Sequence, residues 1–142
     1  MDPNNITPLA IFLFFIMFIY SGIMKILRFP DKILILRKKT GLPYPINELG
    51  MIGVIILEII GSLSIVYYFR NGIMKKGKLI SREEEIFGGI KISTEYIKYL
   101  VKIYLLFMVV VTFIYHPPWA NAIPFLSNVT TFAGFLLIYN ML

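Results

Sequence analysis

The chain has 142 residues, 58% of them hydrophobic, and a formal net charge of +6 at pH 7. Soluble domains use about 45 to 50% apolar residues, so this composition, with a mean hydropathy of +0.77, excludes an ordinary soluble domain and implies a single integral membrane domain over residues 1–142. The absence of cysteine excludes a disulfide, a thiolate nucleophile and a thiolate metal site.

Taken in order, Met1 to Pro8 is short and polar, and Leu9 to Leu27 reads as a first membrane span broken near its end by Ser21, Gly22 and Lys25. A cleaved signal peptide would want a basic start and a small-residue cleavage site, whereas this start carries Asp2. Arg28 to Glu48 is a basic connection, too short in apolar run to cross. Pro30 and Asp31 can start a helix there, Ile33 to Leu36 give it apolar surface and Gly41 can end it, so a short interfacial helix is expected.

The second span, Leu49 to Phe69, would be about 31 Å of helix, one bilayer core, with Glu58 near its midpoint. A charge there costs on the order of 3 kcal/mol or more, so Glu58 must be protonated, paired or turned toward protein. At about 100° per residue Gly50, Gly53, Gly61, Ser64 and Tyr68 share a stripe with Glu58 and Ser62 at its edge, a pattern that suits close helix contact.

Arg70 to Thr94 is a second basic connection. Ser81 with Glu84 has capping-box spacing, Gly88-Gly89 would stop the helix it starts, and Glu83 to Glu85 read as a solvated acidic patch. A third span runs from about Ile97 to Tyr115, capped by Ser93 or Thr94 and ended by His116-Pro117-Pro118-Trp119. A fourth runs from about Ile123 to Leu142, with Ser127, Thr131 and Gly134 as its contact face. The expected fold is therefore all-α: a four-transmembrane-helix bundle with a short interfacial helix between the first and second spans.

Four crossings put the end of the first span, the start of the second, the end of the third and the start of the fourth on one side. Lys25, Glu58, His116, Trp119 and Asn128 then share one half of the membrane. Asn128 would lie roughly 7 Å and Glu58 roughly 14 Å inside the surface, with Lys25 at the boundary and long enough to reach inward. These five are the candidate residues of a polar pocket; no catalytic or metal-ligand set is evident, since a lone His and no Cys leave no nucleophile or metal cluster. The competing reading makes His116 and Trp119 ordinary interface residues, Asn128 an interhelical hydrogen bond and Glu58 a structural acid.

Cysteines introduced at Tyr44 and Ala120 test the crossing number in this Cys-free chain: both are expected to label from the same side, and labelling from opposite sides would overturn four spans. Six Lys and Arg precede the second span and eight lie from Arg70 to Lys102, a bias that places both termini in the cytoplasm or its equivalent. The basic residues sit in connections rather than on one periodic face, so the expected partner is the lipid bilayer, not nucleic acid.

Ser21-Gly22-Ile23-Met24-Lys25-Ile26-Leu27-Arg28-Phe29, Glu58-Ile59-Ile60-Gly61, and Thr112 to His116 with Trp119 and Phe125 to Gly134 together resemble the DoxX-like integral membrane proteins. The resemblance touches nearly every span. Ser127 stands where that family often has Lys beside the Asn, and Ser62 where it often has a second Gly. It implies a four-helix bundle with Lys25, Glu58, His116, Trp119 and Asn128 as the positions carried over. It also implies a membrane subunit of a larger complex, other membrane subunits or a second copy as partners, and a quinone or lipid as ligand. The alternative it leaves is a non-enzymatic membrane chaperone, cargo receptor or scaffold; an enzyme acting alone is the least expected.

Overall fold

The computed structural model of the protein describes residues 2–80 and 93–142. The capping box at Ser81, Gly88-Gly89 and the acidic run Glu83 to Glu85 lie outside the described residues. Four helices are long and apolar enough to cross a membrane: Pro3–Leu27, Ile46–Asn71, Thr94–Tyr115 and Ala122–Met141. The all-α, four-span architecture expected from the sequence stands, and the chain is a multi-pass integral membrane protein. Its contacts divide it into two units, Met1–Arg70 and Asn71–Leu142, each of which carries two of the spans.

In the first unit α1, Pro3–Leu27, starts earlier than its apolar run. Asp2 accepts a hydrogen bond from the Asn4 N–H at 3.0 Å and Pro3 stands in the first turn, where a missing N–H costs nothing. Its buried residues Ile11, Phe15, Phe18 and Gly22 recur at helical spacing, one stripe that leads to Lys25. The short interfacial helix is α2, Phe29–Thr40, with Pro30 in its first turn and Gly41 closing it at φ 68, a left-handed conformation that glycine adopts without strain. Arg37 to Lys39 fill its last turn, where cations suit the helix dipole.

The second span is built from α3, Ile46–Ile56, a π-helical turn, Leu57–Gly61, and α4, Ser62–Asn71. Asn47, almost fully buried, fastens α2 to its start: the Asn47 side chain donates to the Leu42 carbonyl at 2.9 Å, and the Thr40 hydroxyl lies 2.7 Å from Asn47 Oδ1. Arg37 adds an ion pair to Glu48. The π-helical turn fits an extra residue into the helix, which rotates the next turns by about 100° and so breaks the expected stripe. Gly50 and Gly53 are exposed with open space around them, whereas Gly61, Ser62, Ser64 and Tyr68 are buried. Only the part of the stripe beyond Glu58 packs.

The second unit opens with a two-stranded antiparallel hairpin, β1, Ile73–Lys75, and β2, Lys78–Ile80, which the sequence pattern did not foreshadow. Lys76 and Gly77 form its two-residue turn, both at positive φ. Then α5, Thr94–Tyr115, is capped by Ser93, whose hydroxyl accepts from the Tyr96 N–H, and α6, Ala122–Met141, is capped by Asn121. The two helices pair antiparallel in a steady register, with Asn128 at Thr112, Phe135 stacked on Tyr104 at 4.7 Å between ring centroids, and Tyr139 under Lys102. On α6 the packed residues are Phe135 and Ile138 with half-buried Asn128 and Thr131, while Ser127 is exposed. Of the expected face of Ser127, Thr131 and Gly134, the last two are half-buried and Ser127 is exposed, while the large Phe135 and Ile138 are the fully buried contacts.

Candidate functional site

The ion pair that joins the two spans of the first unit is Lys25 with Glu58, and helix geometry explains why they meet. Side chains on an α-helix lean toward its N-terminus. Because α1 and the second span run antiparallel, Lys25 leans inward along α1 while Glu58 leans outward along its own helix. Gly22 allows the approach: a Cβ built there would stand 2.6 Å from Ile59 Cγ1 and 3.2 Å from Glu58 Cβ. Gly22 and Glu58 are therefore opposite one another, and Lys25 lies about 4.5 Å further out along α1.

The Lys25 ammonium donates to Glu58 Oε1 at 2.8 Å, to Glu58 Oε2 at 3.1 Å and to Ser21 Oγ at 2.6 Å. An ammonium has three N–H donors, so this set uses its full capacity, and both carboxylate oxygens are engaged. The Glu58 side chain is 3% exposed and that of Lys25 is 19% exposed, so the acid is sealed while the base keeps an opening. Two opposite charges at this separation leave no net charge in the apolar zone. A pair of this kind is nonetheless costly to bury, because each ion gives up its hydration and recovers it only through good geometry.

The turn that carries the acid is itself unusual. The Leu57 N–H, where α3 meets the turn, is shared between the Gly53 and Val54 carbonyls. The Ser64 hydroxyl donates to the Ile60 carbonyl at 2.8 Å, which supplies a partner to a carbonyl of the irregular turn. Single π-helical turns inside α-helices concentrate at functional sites.

The other three sequence candidates belong to the second unit. Asn128 donates from Nδ2 to Thr112 Oγ1 at 3.2 Å, and the Thr112 hydroxyl in turn donates to the Met108 carbonyl. That is an interhelical polar contact on the packed face of α5 and α6. His116 is the C-cap of α5, its backbone N–H donating to the Thr112 carbonyl at 2.8 Å, and its side chain is exposed. Trp119 is 76% exposed and tilts over Phe113 at 6.2 Å between ring centroids. Thus Lys25 and Glu58 are in direct contact, Asn128 is joined to Thr112, and His116 and Trp119 stand in the connection between α5 and α6.

Ser21, Gly22 and Thr112 take part in these contacts without having been assigned to the site from the sequence. A signal for Ser21 was present in its spacing of four from Lys25, which places both on one face of α1. Gly22 shows itself only once the opposing Ile59 is known. Compared with protein-family models, with curated proteins and with solved structures, the chain finds no match.

Proposed function

We propose that this protein is a DoxX-like membrane subunit that works inside a larger, quinone-linked complex, and that Ser21, Lys25 and Glu58 are its intramembrane polar site. The observation that carries this reading is the buried ion pair itself, held between two spans by a glycine contact. Apolar side chains of similar volume would hold two helices together at no desolvation cost, so a charged pair at that depth marks a place where charge or a proton is used. The partial exposure of Lys25 leaves one ion reachable, and a quinone carbonyl or lipid headgroup would bind it by displacing Ser21 or one Glu58 oxygen from its N–H donors. Exposed apolar side chains such as Leu13, Met17 and Tyr20 on α1 offer surface to lipid or to other subunits.

The test is the neutral double variant K25Q/E58Q, purified beside the wild type from native membranes in mild detergent. Its amide side chains can still hydrogen-bond, and no unpaired ion is left behind. The expected outcome is normal helix content with loss of the co-purifying quinone, lipid or redox partner seen by mass spectrometry. A variant that keeps every co-purifying component would sink the reading.

A second reading, a non-enzymatic scaffold or chaperone, draws on the same geometry: every Lys25 donor is already used within the protein, as in a structural pin. That reading expects a substoichiometric client protein and no bound small molecule in the wild type.

A further inference from the structure

The hairpin β1–β2 concentrates positive charge where the fold itself does not ask for it. Lys75 and Lys78 are direct cross-strand partners, an arrangement that opposes like charges across a two-stranded ribbon. Between them Lys76 holds φ 51 and Gly77 holds φ 75. Two-residue hairpin turns with both residues at positive φ favour Asn, Asp or Gly at the first position, so lysine there is a local conflict. Conflicts between local preference and fold gather at functional places. All three lysines are exposed.

The position of this charge is fixed within its unit. Lys78 Nζ donates to the Asn140 carbonyl at 2.7 Å, which ties the hairpin to the last turn of α6. Buried Leu79 packs against Gly72, where a Cβ would clash with it. Lys102 on α5 sits over the Tyr139 ring at 5.8 Å, beside the same end of α6. Tyr96, Lys98, Tyr99 and Lys102 gather in the first turns of α5, the kind of Tyr and Lys anchors that stand at headgroup level at the start of a span.

We propose that Lys75, Lys76 and Lys78 around the hairpin turn, with Lys102 on the neighbouring α5, form a binding site for the phosphate headgroup of an anionic phospholipid in the adjoining leaflet. An anion between Lys75 and Lys78 converts their repulsion into shared attraction, and the anchor residues at the start of α5 put that anion at headgroup depth. The inference rests on the membrane-spanning architecture and is independent of the use made of Lys25 and Glu58.

Native mass spectrometry of the full chain in mild detergent tests it, with phosphatidylglycerol and phosphatidylcholine of identical acyl chains as competing probes. The wild type is expected to retain phosphatidylglycerol in preference. K75Q/K76Q is expected to lose that preference by about fivefold per lysine, on the order of 25-fold for the pair, while K75R/K76R keeps it. Both variants change exposed side chains, and circular dichroism checks that each remains helical. Equal retention of the two lipids by the wild type overturns the proposal, as does an unchanged preference in K75Q/K76Q. Displacement of the lipid by millimolar inorganic phosphate alone would assign the lysines to a soluble anion and also overturn it.

Discussion

Glu58→Leu alone is expected to cost about 3 to 5 kcal/mol of stability, the usual effect of leaving one member of a buried ion pair without its partner. The Lys25 ammonium would lose both carboxylate contacts and keep only Ser21, inside a span where a lone cation is costly. Lys25→Met is expected to do comparable harm from the other side, because Glu58 has almost no solvent to turn to. The double variant K25M/E58L is expected to recover most of the loss, since it removes both charges and fills the site with apolar atoms. Thermal or denaturant unfolding in detergent, run as a double-mutant cycle, measures this coupling directly. Additive single losses would show that the two side chains do not depend on each other in the folded state.

That cycle separates stability from use in a way that one substitution cannot. A pair kept only as a helix pin would leave K25M/E58L stable and every co-purifying component in place. A pair that handles a ligand or proton would leave the same variant stable and empty. The coupling energy is a property of the fold, and the loss of ligand is a property of the site.

The parts of this fold that were legible in the sequence are those set by local chemistry. The spans follow from apolar runs long enough for a bilayer, and α2 follows from Pro30 at its start and Gly41 at its end. The Ser93 cap could be read in the same way, from a hydroxyl residue standing before an apolar periodic run. The early start of α1 was hidden because Asn4 and Asn5 look like loop, although Asp2 and Pro3 are good starting residues. The π-helical turn left no local mark, because it depends on how the second span meets α1; with it went the glycine stripe, right beyond Glu58 and wrong before it.

The candidate site was legible to the same degree and for the same reason. Lys25 and Glu58 could be singled out because charge in an apolar span is expensive wherever it points. Their contact needed the axial offset between two helices, which periodicity does not contain. From Gly22 to the end of α1 is about 7.5 Å of helix, whereas from Ile46 to Glu58 is about 18 Å, so the second span begins about 10 Å further out than the first one ends. The helix α2 covers that difference, starting beside the end of α1 and reaching Asn47 and Glu48 with Thr40 and Arg37. Lys25, placed at the boundary by its own helix, is in this way brought level with an acid deep in the next.

Gly22→Ala tests whether that offset is fixed by the glycine contact, and it is expected to destabilise by about 1 to 3 kcal/mol, the range for overpacking a close contact. The added methyl would meet Ile59 Cγ1, an atom next to the backbone of a β-branched side chain that cannot swing far. Relief must come from α1 moving away from the π-helical turn or sliding along it, and either motion lengthens the Lys25 to Glu58 contact. Ile59→Ala removes the atom that the methyl would strike. The double variant G22A/I59A is therefore expected to be more stable than the sum of its single losses allows, with the ion pair restored. Unfolding midpoints of the four proteins in detergent give the coupling, and crosslinking of cysteines placed across α1 and α3 reports the helix separation. A Gly22→Ala protein as stable as the wild type, with unchanged crosslinking, would show that the two helices are not held by this contact and that Lys25 reaches Glu58 without it.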